Sequence, residues 1–198
     1  MRQTILLCFC LILFGIVILS CGRPENATPA DKPSTGDGIS ASQPSASTSD
    51  ALQPLAFSAQ YIRTDGYHDG VRYPVVTVID SADGLSRYYE EYKGLYDFSH
   101  RETVYADTSI GFVDAIASYD AAWFESHRLL VILCEEGSGS IGHEVTAVTG
   151  GSAPAVEITR LCPECYTDDM AEWHILIELD RSADLSGEIA VHFAQKDV

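Results

Sequence analysis

Leu129-Leu130-Val131-Ile132-Leu133-Cys134 is the stretch that most limits how this chain can fold. Six consecutive apolar residues leave no face for water, so a strand here must be covered on both sides and lie inside a sheet. The other strand signals are one-sided. Val156 and Ile158 alternate with Glu157 and Thr159; Trp173, Ile175, Ile177 and Leu179 with His174 and Glu178; Ile189, Val191 and Phe193 with Glu188 and His192. Such alternation fits antiparallel strands with one wet face, on which Glu172, His174 and Glu178 would stand together.

Upstream, Phe57 to Arg63 and Val71 to Ile79 read as two strands joined through Asp65-Gly66 and Asp69-Gly70, a glycine-punctuated turn. Pro74 cannot donate to a ladder, which gives the second strand an edge position or a late start. Asp80 or Ser81 can cap a helix in which Leu85, Tyr88, Tyr89 and Tyr92 recur at helical spacing before Gly94. Phe112, Ile116 and Tyr119 predict a second helical stretch, and Asp120 can cap a turn holding Trp123 and Phe124. These aromatic stripes are read as core. Strands at both ends and helices between them predict an α+β fold for residues 54–198: a mainly antiparallel sheet with two or three short helices packed against it, in a single domain.

The N-terminal region predicts location. Arg2 precedes an apolar run from Ile5 to Leu19, as in a secretory signal, and the run is shorter than the roughly 17–25 residues that span a bilayer. Ile18-Leu19-Ser20-Cys21 closes it and resembles the lipobox of bacterial lipoproteins. That resemblance implies cleavage of residues 1–20, lipid on Cys21 and attachment to the extracytoplasmic side of a bacterial membrane. Residues 21–53 are rich in Pro, Ser, Thr, Ala, Gly and Asp, too polar for a core, and predict a flexible tether reaching about 30 Å. The full chain carries a formal charge of −17, and loss of Arg2 with the leader makes it −18. Phosphate backbones are repelled by that charge, so nucleic acid is not an expected partner.

No chemical motif assembles. The loop Glu135-Glu136-Gly137-Ser138-Gly139-Ser140-Ile141-Gly142-His143 lacks the helix and Lys-Ser pair of a phosphate cradle, and the first glycine of a nucleophile elbow. His143-Glu144 lacks the second histidine of a zinc-protease helix, because Ala147 holds that place. The loop is therefore read as a glycine-rich hairpin turn using positive φ. Cys162-Pro163-Glu164-Cys165 has the spacing of half a zinc site or a redox pair; outside the cytoplasm, a local disulfide or two idle thiols is the preferred reading. Asp168-Asp169-Met170-Ala171-Glu172-Trp173-His174 gathers acids and an imidazole without a nucleophile, and is read as a solvated strand face. Neither a catalytic set nor a metal or cofactor site is expected.

From residue 129 to 198, the apolar strand, the small-residue loop Gly137-Ser138-Gly139-Ser140, the strand begun by Glu144-Val145, the strand Val156 to Leu161 leading to Pro163, and the strand His174 to Glu178 follow one another in an order that resembles the PrcB-like C-terminal domain of bacterial surface lipoproteins. That family is named for a subunit that stabilises a protease complex. The loop departs from the family's Thr-Gly-Gly-aromatic form. The resemblance implies an extracytoplasmic protein-binding module without catalytic residues, with Glu136, Gly137, Ser138, Gly139, Ser140 and His143, joined by Asp169, Glu172 and His174, as candidate partner contacts. Two other classes stay open: a hydrolase or metal-dependent enzyme using His143 and His174 with nearby acids or cysteines, and a small-ligand-binding lipoprotein.

Overall fold

The computed structural model describes residues 52–64, 68, 70–99 and 110–198. The leader, Cys21 and the tether up to residue 51 lie outside them, as do Asp65, Gly66 and Asp69 of the expected turn. Within the compact unit Ala46–Val198 the fold is α+β, with more sheet than helix. Among the described residues, no helix is long and apolar enough to cross a membrane.

In chain order the elements are β1 (Gln53–Pro54), β2 (Phe57–Thr64), β3 (Val75–Ile79), α1 (Ala82–Tyr92), α2 (Phe112–Ala115), α3 (Trp123–Ser126), β4 (His127–Glu136), β5 (Gly142–Gly150), β6 (Ala155–Cys162), β7 (Ala171–Asp180) and β8 (Ala190–Asp197). They form two four-stranded sheets, ordered β2-β7-β4-β3 and β1-β5-β6-β8. Leu130, Ile132 and Cys134 of β4, with Ile175, Ile177 and Leu179 of β7, pack against Val145, Val148, Val156 and Ile158 of the other sheet. The opposite faces, Leu129, Val131, Leu133 and Leu176, lie under Leu85, Tyr88, Phe112, Tyr119 and Phe124 of the helical layer. The result is three layers: helices, the β2-β7-β4-β3 sheet, and a second sheet whose outer face carries exposed Glu144, Thr146 and Glu157. The expected central strand is β4, buried on both sides.

Several elements follow from local chemistry. Ser81 Oγ accepts from the Gly84 backbone N–H at 3.1 Å and caps α1, whose Leu85 and Tyr88 are buried. Asp120 Oδ1 accepts from the Trp123 N–H at 2.8 Å and starts the turn into α3. β3 begins just after Pro74 and forms a sheet edge, so both consequences of that proline hold. Gly151, at φ 109°, turns the chain between β5 and β6, which pair antiparallel.

Four expectations are corrected. β2 and β3 are not a hairpin: β7 and β4, each buried on both faces, take the middle of the sheet and leave β2 and β3 its opposite edges. The loop after β4 is not a hairpin either, since β4 and β5 belong to different sheets and the connection crosses between layers. β8 runs parallel to β6, because β7 intervenes in sequence but pairs in the other sheet. Finally, β7 has no wet face; the aromatic residues of the helical layer cover the side carrying Glu172 and His174. The β1 register carries the folded region slightly further upstream than expected, to Gln53 opposite Gly150.

Truncating Ile132, fully buried between the sheets, should remove about 2–5 kcal/mol of unfolding free energy, through lost transfer energy and the cavity left behind. Val113→Ala, on a side chain left 47% exposed, should stay within about 0.5 kcal/mol. Urea unfolding followed by tryptophan fluorescence separates the two.

Candidate functional site

The site occupies the end of the sandwich where β4 finishes and β7 begins. Residues 137–141 connect the two sheets and are held by the loop that leads into β7. The Gly139 backbone N–H donates to Asp169, both to its carbonyl at 3.0 Å and to its Oδ1 at 3.1 Å. Asp169 Oδ2 receives Arg63 Nη2 at 2.5 Å, while Arg63 Nη1 reaches the Gly139 carbonyl at 3.4 Å. Ser138 Oγ lies 2.8 Å from Ser140 Oγ and 3.0 Å from Thr167 Oγ1; the Ser140 and Thr167 amides donate into the same hydroxyl cluster. Hydrogen bonds from Thr167, Arg63 and the Gly139 amide hold the Asp169 carboxyl below the usual carboxylate range. The approach at Gly139 is close: a Cβ there would run into the Arg63 guanidinium and the Asp169 carboxylate and would have to displace those side-chain ends. None of the glycines at 137, 139 and 142 adopts positive φ, so the loop's glycines do not serve the turn chemistry expected of them.

Behind the loop, Glu136 reaches from β4 across to the other sheet. Its Oε1 accepts from His143 Nε2 at 2.9 Å and from Arg160 Nε at 2.7 Å. His143 and Arg160 are register partners on β5 and β6, so one carboxylate ties the two sheets together. Burial raises the carboxyl's pKa, but the bonds from His143 and Arg160 outweigh that and hold it below its usual value. Cys134 Sγ lies 3.8 Å from His143 Nε2. Burial, reinforced by the Glu136 charge, pushes its thiol well above the ordinary range, so it is not a poised nucleophile. The Trp173 ring meets His143 edge-on at 5.1 Å.

On the other face of the same sheet, Glu172 and His174 are each 0% exposed. The Thr64 hydroxyl donates to the Glu172 carbonyl at 3.1 Å and lies 3.2 Å from His174 Nδ1, so it can accept that ring's N–H. Tyr96, Phe98 and Phe112 stand edge-on around the imidazole at 5.1–5.2 Å between centroids. Desolvation lowers its pKa from 6.5 to about 3. The Glu172 carboxylate accepts from Tyr73 Oη at 2.6 Å and lies 3.8 Å from His68 Nε2; burial nevertheless raises its pKa.

The structure thus sorts the sequence-predicted residues. Gly137 and Asp169 are exposed and Ser140 is half-buried; Glu136, Ser138, Gly139 and His143 are buried behind or within the loop. Glu172 and His174 are withdrawn from any contact surface by the aromatic cover, which overturns the solvated-face reading. His143 and His174 lie on opposite sides of the β2-β7-β4-β3 sheet and cannot share one reaction centre. Cys162 and Cys165 are both free thiols, the first buried at the end of β6 and the second exposed, which is the idle-thiol alternative of the two readings for this pair. Sequence reasoning missed Arg63, Arg160 and Thr167, whose roles arise only when the register brings distant strands and loops together. No family model, curated protein or solved structure matches this chain.

The His174 environment carries a signed pH dependence. As pH falls below about 6.5 the unfolded chain protonates this imidazole while the folded ring resists until about pH 3, so the unfolded state binds more protons and stability drops with falling pH. The contribution is whole above that window and is lost within it, at up to about 1.4 kcal/mol per pH unit. Urea midpoints measured between about pH 7.5 and about pH 5 should fall less steeply in His174→Phe than in the wild type.

Proposed function

We propose that residues 54–198 act as a single binding module, tethered through lipid on Cys21 to the extracytoplasmic side of a bacterial membrane, which engages another extracytoplasmic protein and stabilises a surface complex, as the PrcB-like resemblance implies. The observation that carries this reading is the ordered two-loop face at the end of the sandwich. Thr167 and Asp169 are spent on holding residues 138–140, while their neighbours Tyr166 and Met170 remain 58% and 43% exposed. A large aromatic and a methionine on a prearranged backbone can bind a protein surface with little ordering cost.

The proposed contact set is therefore narrower than the sequence implied and shifted toward the β6–β7 loop. Gly137, Ser140 and Asp169 lie at the face beside Tyr166 and Met170. Glu136, Ser138, Gly139 and His143 support it from within, and Glu172 and His174 belong to the core behind. The acidic balance of the chain favours a partner with a neutral or basic docking surface over nucleic acid or bare anionic lipid.

Cross-linking the anchored protein on its own cells, followed by mass spectrometry, should recover one extracytoplasmic protein in near-equal amount. Tyr166→Ala combined with Met170→Ala should lower that recovery at least about tenfold without changing the urea midpoint. Recovery indifferent to both substitutions would remove this face from the function. Cys21→Ala should release the protein from the detergent-soluble membrane fraction into the aqueous one, because in the proposed attachment the lipid on Cys21 supplies the membrane affinity.

A further inference from the structure

We propose that Cys134, Glu136 and His143 form a binding site for a divalent transition-metal cation of the zinc class, with three protein ligands and one position left for water. Their ligand atoms all lie within 4.8 Å of one another, and all three residues are buried. The site does not depend on the protein-binding role proposed above.

The ligand set arises from two strands. Cys134 and Glu136, two apart on β4, point to the same side of their sheet, and His143 comes from β5 in the facing sheet. Thiolate, imidazole and carboxylate are together the donor types zinc accepts, with bonds of about 2.3, 2.0 and 2.0–2.2 Å. Tetrahedral placement around such a centre separates sulfur from nitrogen by about 3.5 Å, and Cys134 Sγ and His143 Nε2 already stand 3.8 Å apart. His143 Nε2 and Glu136 Oε1, at 2.9 Å, need to separate by only a few tenths of an ångström.

Two buried polar atoms without hydrogen-bond partners adjoin this set, His143 Nδ1 and Trp173 Nε1. On binding, the imidazole proton moves from Nε2 to Nδ1, and the Cys134 thiol releases its proton to solvent as the metal–sulfur bond forms. One proton therefore leaves per cation. The Trp173 indole packs edge-on beside the His143 ring. Carboxylate and thiolate together set two negative charges against the dication and the Arg160 guanidinium. Arg160 keeps its hold on Glu136 and orients that carboxylate, as an outer partner of a metal ligand does. Its guanidinium lies 4.1 Å from the Phe193 ring centre and is partly exposed.

Cobalt(II) titrated into the full-length protein in detergent tests the assignment. The wild type should develop near-ultraviolet thiolate-to-cobalt absorption that saturates at one equivalent, and zinc should bleach it. Cys134→Ser should abolish that band, and His143→Gln should weaken cobalt binding at least about tenfold; Cys162→Ser with Cys165→Ser should leave the band intact. Zinc should also raise the thermal midpoint of the wild type and leave that of Cys134→Ser unchanged, with each variant's urea unfolding verifying that it is folded. Absence of the band in the wild type, or its survival in folded Cys134→Ser, would overturn the proposal.

Discussion

β4 and β7 run antiparallel for ten residues, from His127 opposite Asp180 to Glu136 opposite Ala171, and both strands are buried on both faces. This pair fixes the rest. A strand with no wet side must have a layer above and a layer below, so the chain has to supply both a helical cover and a second sheet. The edges of the first sheet then fall to β2 and β3. Because β5, β6 and β8 are recruited to the opposite layer, every connection leaving β4, β6 or β7 changes sheet. The β4–β5 and β6–β7 loops consequently meet at one end of the sandwich, brought there by topology.

Burial on both faces also decides what the polar residues of the pair can do. Glu136 leaves β4 on the inter-sheet side and Glu172 leaves β7 on the helix side, so each carboxylate needs partners from a different layer. Glu136 finds His143 and Arg160, two positively polarised groups from paired strands, and its carboxyl is held below its ordinary range. Glu172 has a tyrosine hydroxyl and a more distant histidine, and burial prevails. Two carboxyls near the same strand ends thus shift in opposite directions, because only one meets a guanidinium at hydrogen-bond distance.

Much of this architecture was legible in the sequence. The run from Leu129 to Cys134 specified a doubly covered strand, Pro74 an edge, Ser81 a helix start, and Asp120 the turn into α3, each through a rule acting within a few residues. β7 misled because alternation reports residue type and not cover: His174 and Glu178 read as wet, whereas Tyr96, Phe98 and Phe112 close over the imidazole and Tyr119 donates to the Glu178 carboxylate. The parallel placement of β8 and the separation of β2 from β3 depend on which strand occupies the middle, a competition over the whole domain. Arg63 gave no local signal at all. Its meaning depends on Asp169, 106 residues away.

The loop at 137–141 connects directly to both ends of the buried charge cluster, with Glu136 immediately before it and His143 two residues after. Asp169, which anchors Gly139, lies three residues before Glu172 on the chain that becomes β7. A protein docked on the two-loop face, as proposed, would sit on a backbone that runs directly into the Glu136–His143–Arg160 tie and that Arg63 and Asp169 hold at Gly139 by hydrogen bonds. The metal ligation proposed at Cys134, Glu136 and His143 would adjust spacings at the point where the exposed loop leaves β4 and β5, bringing Cys134 nearer to His143 and moving Glu136 away from it.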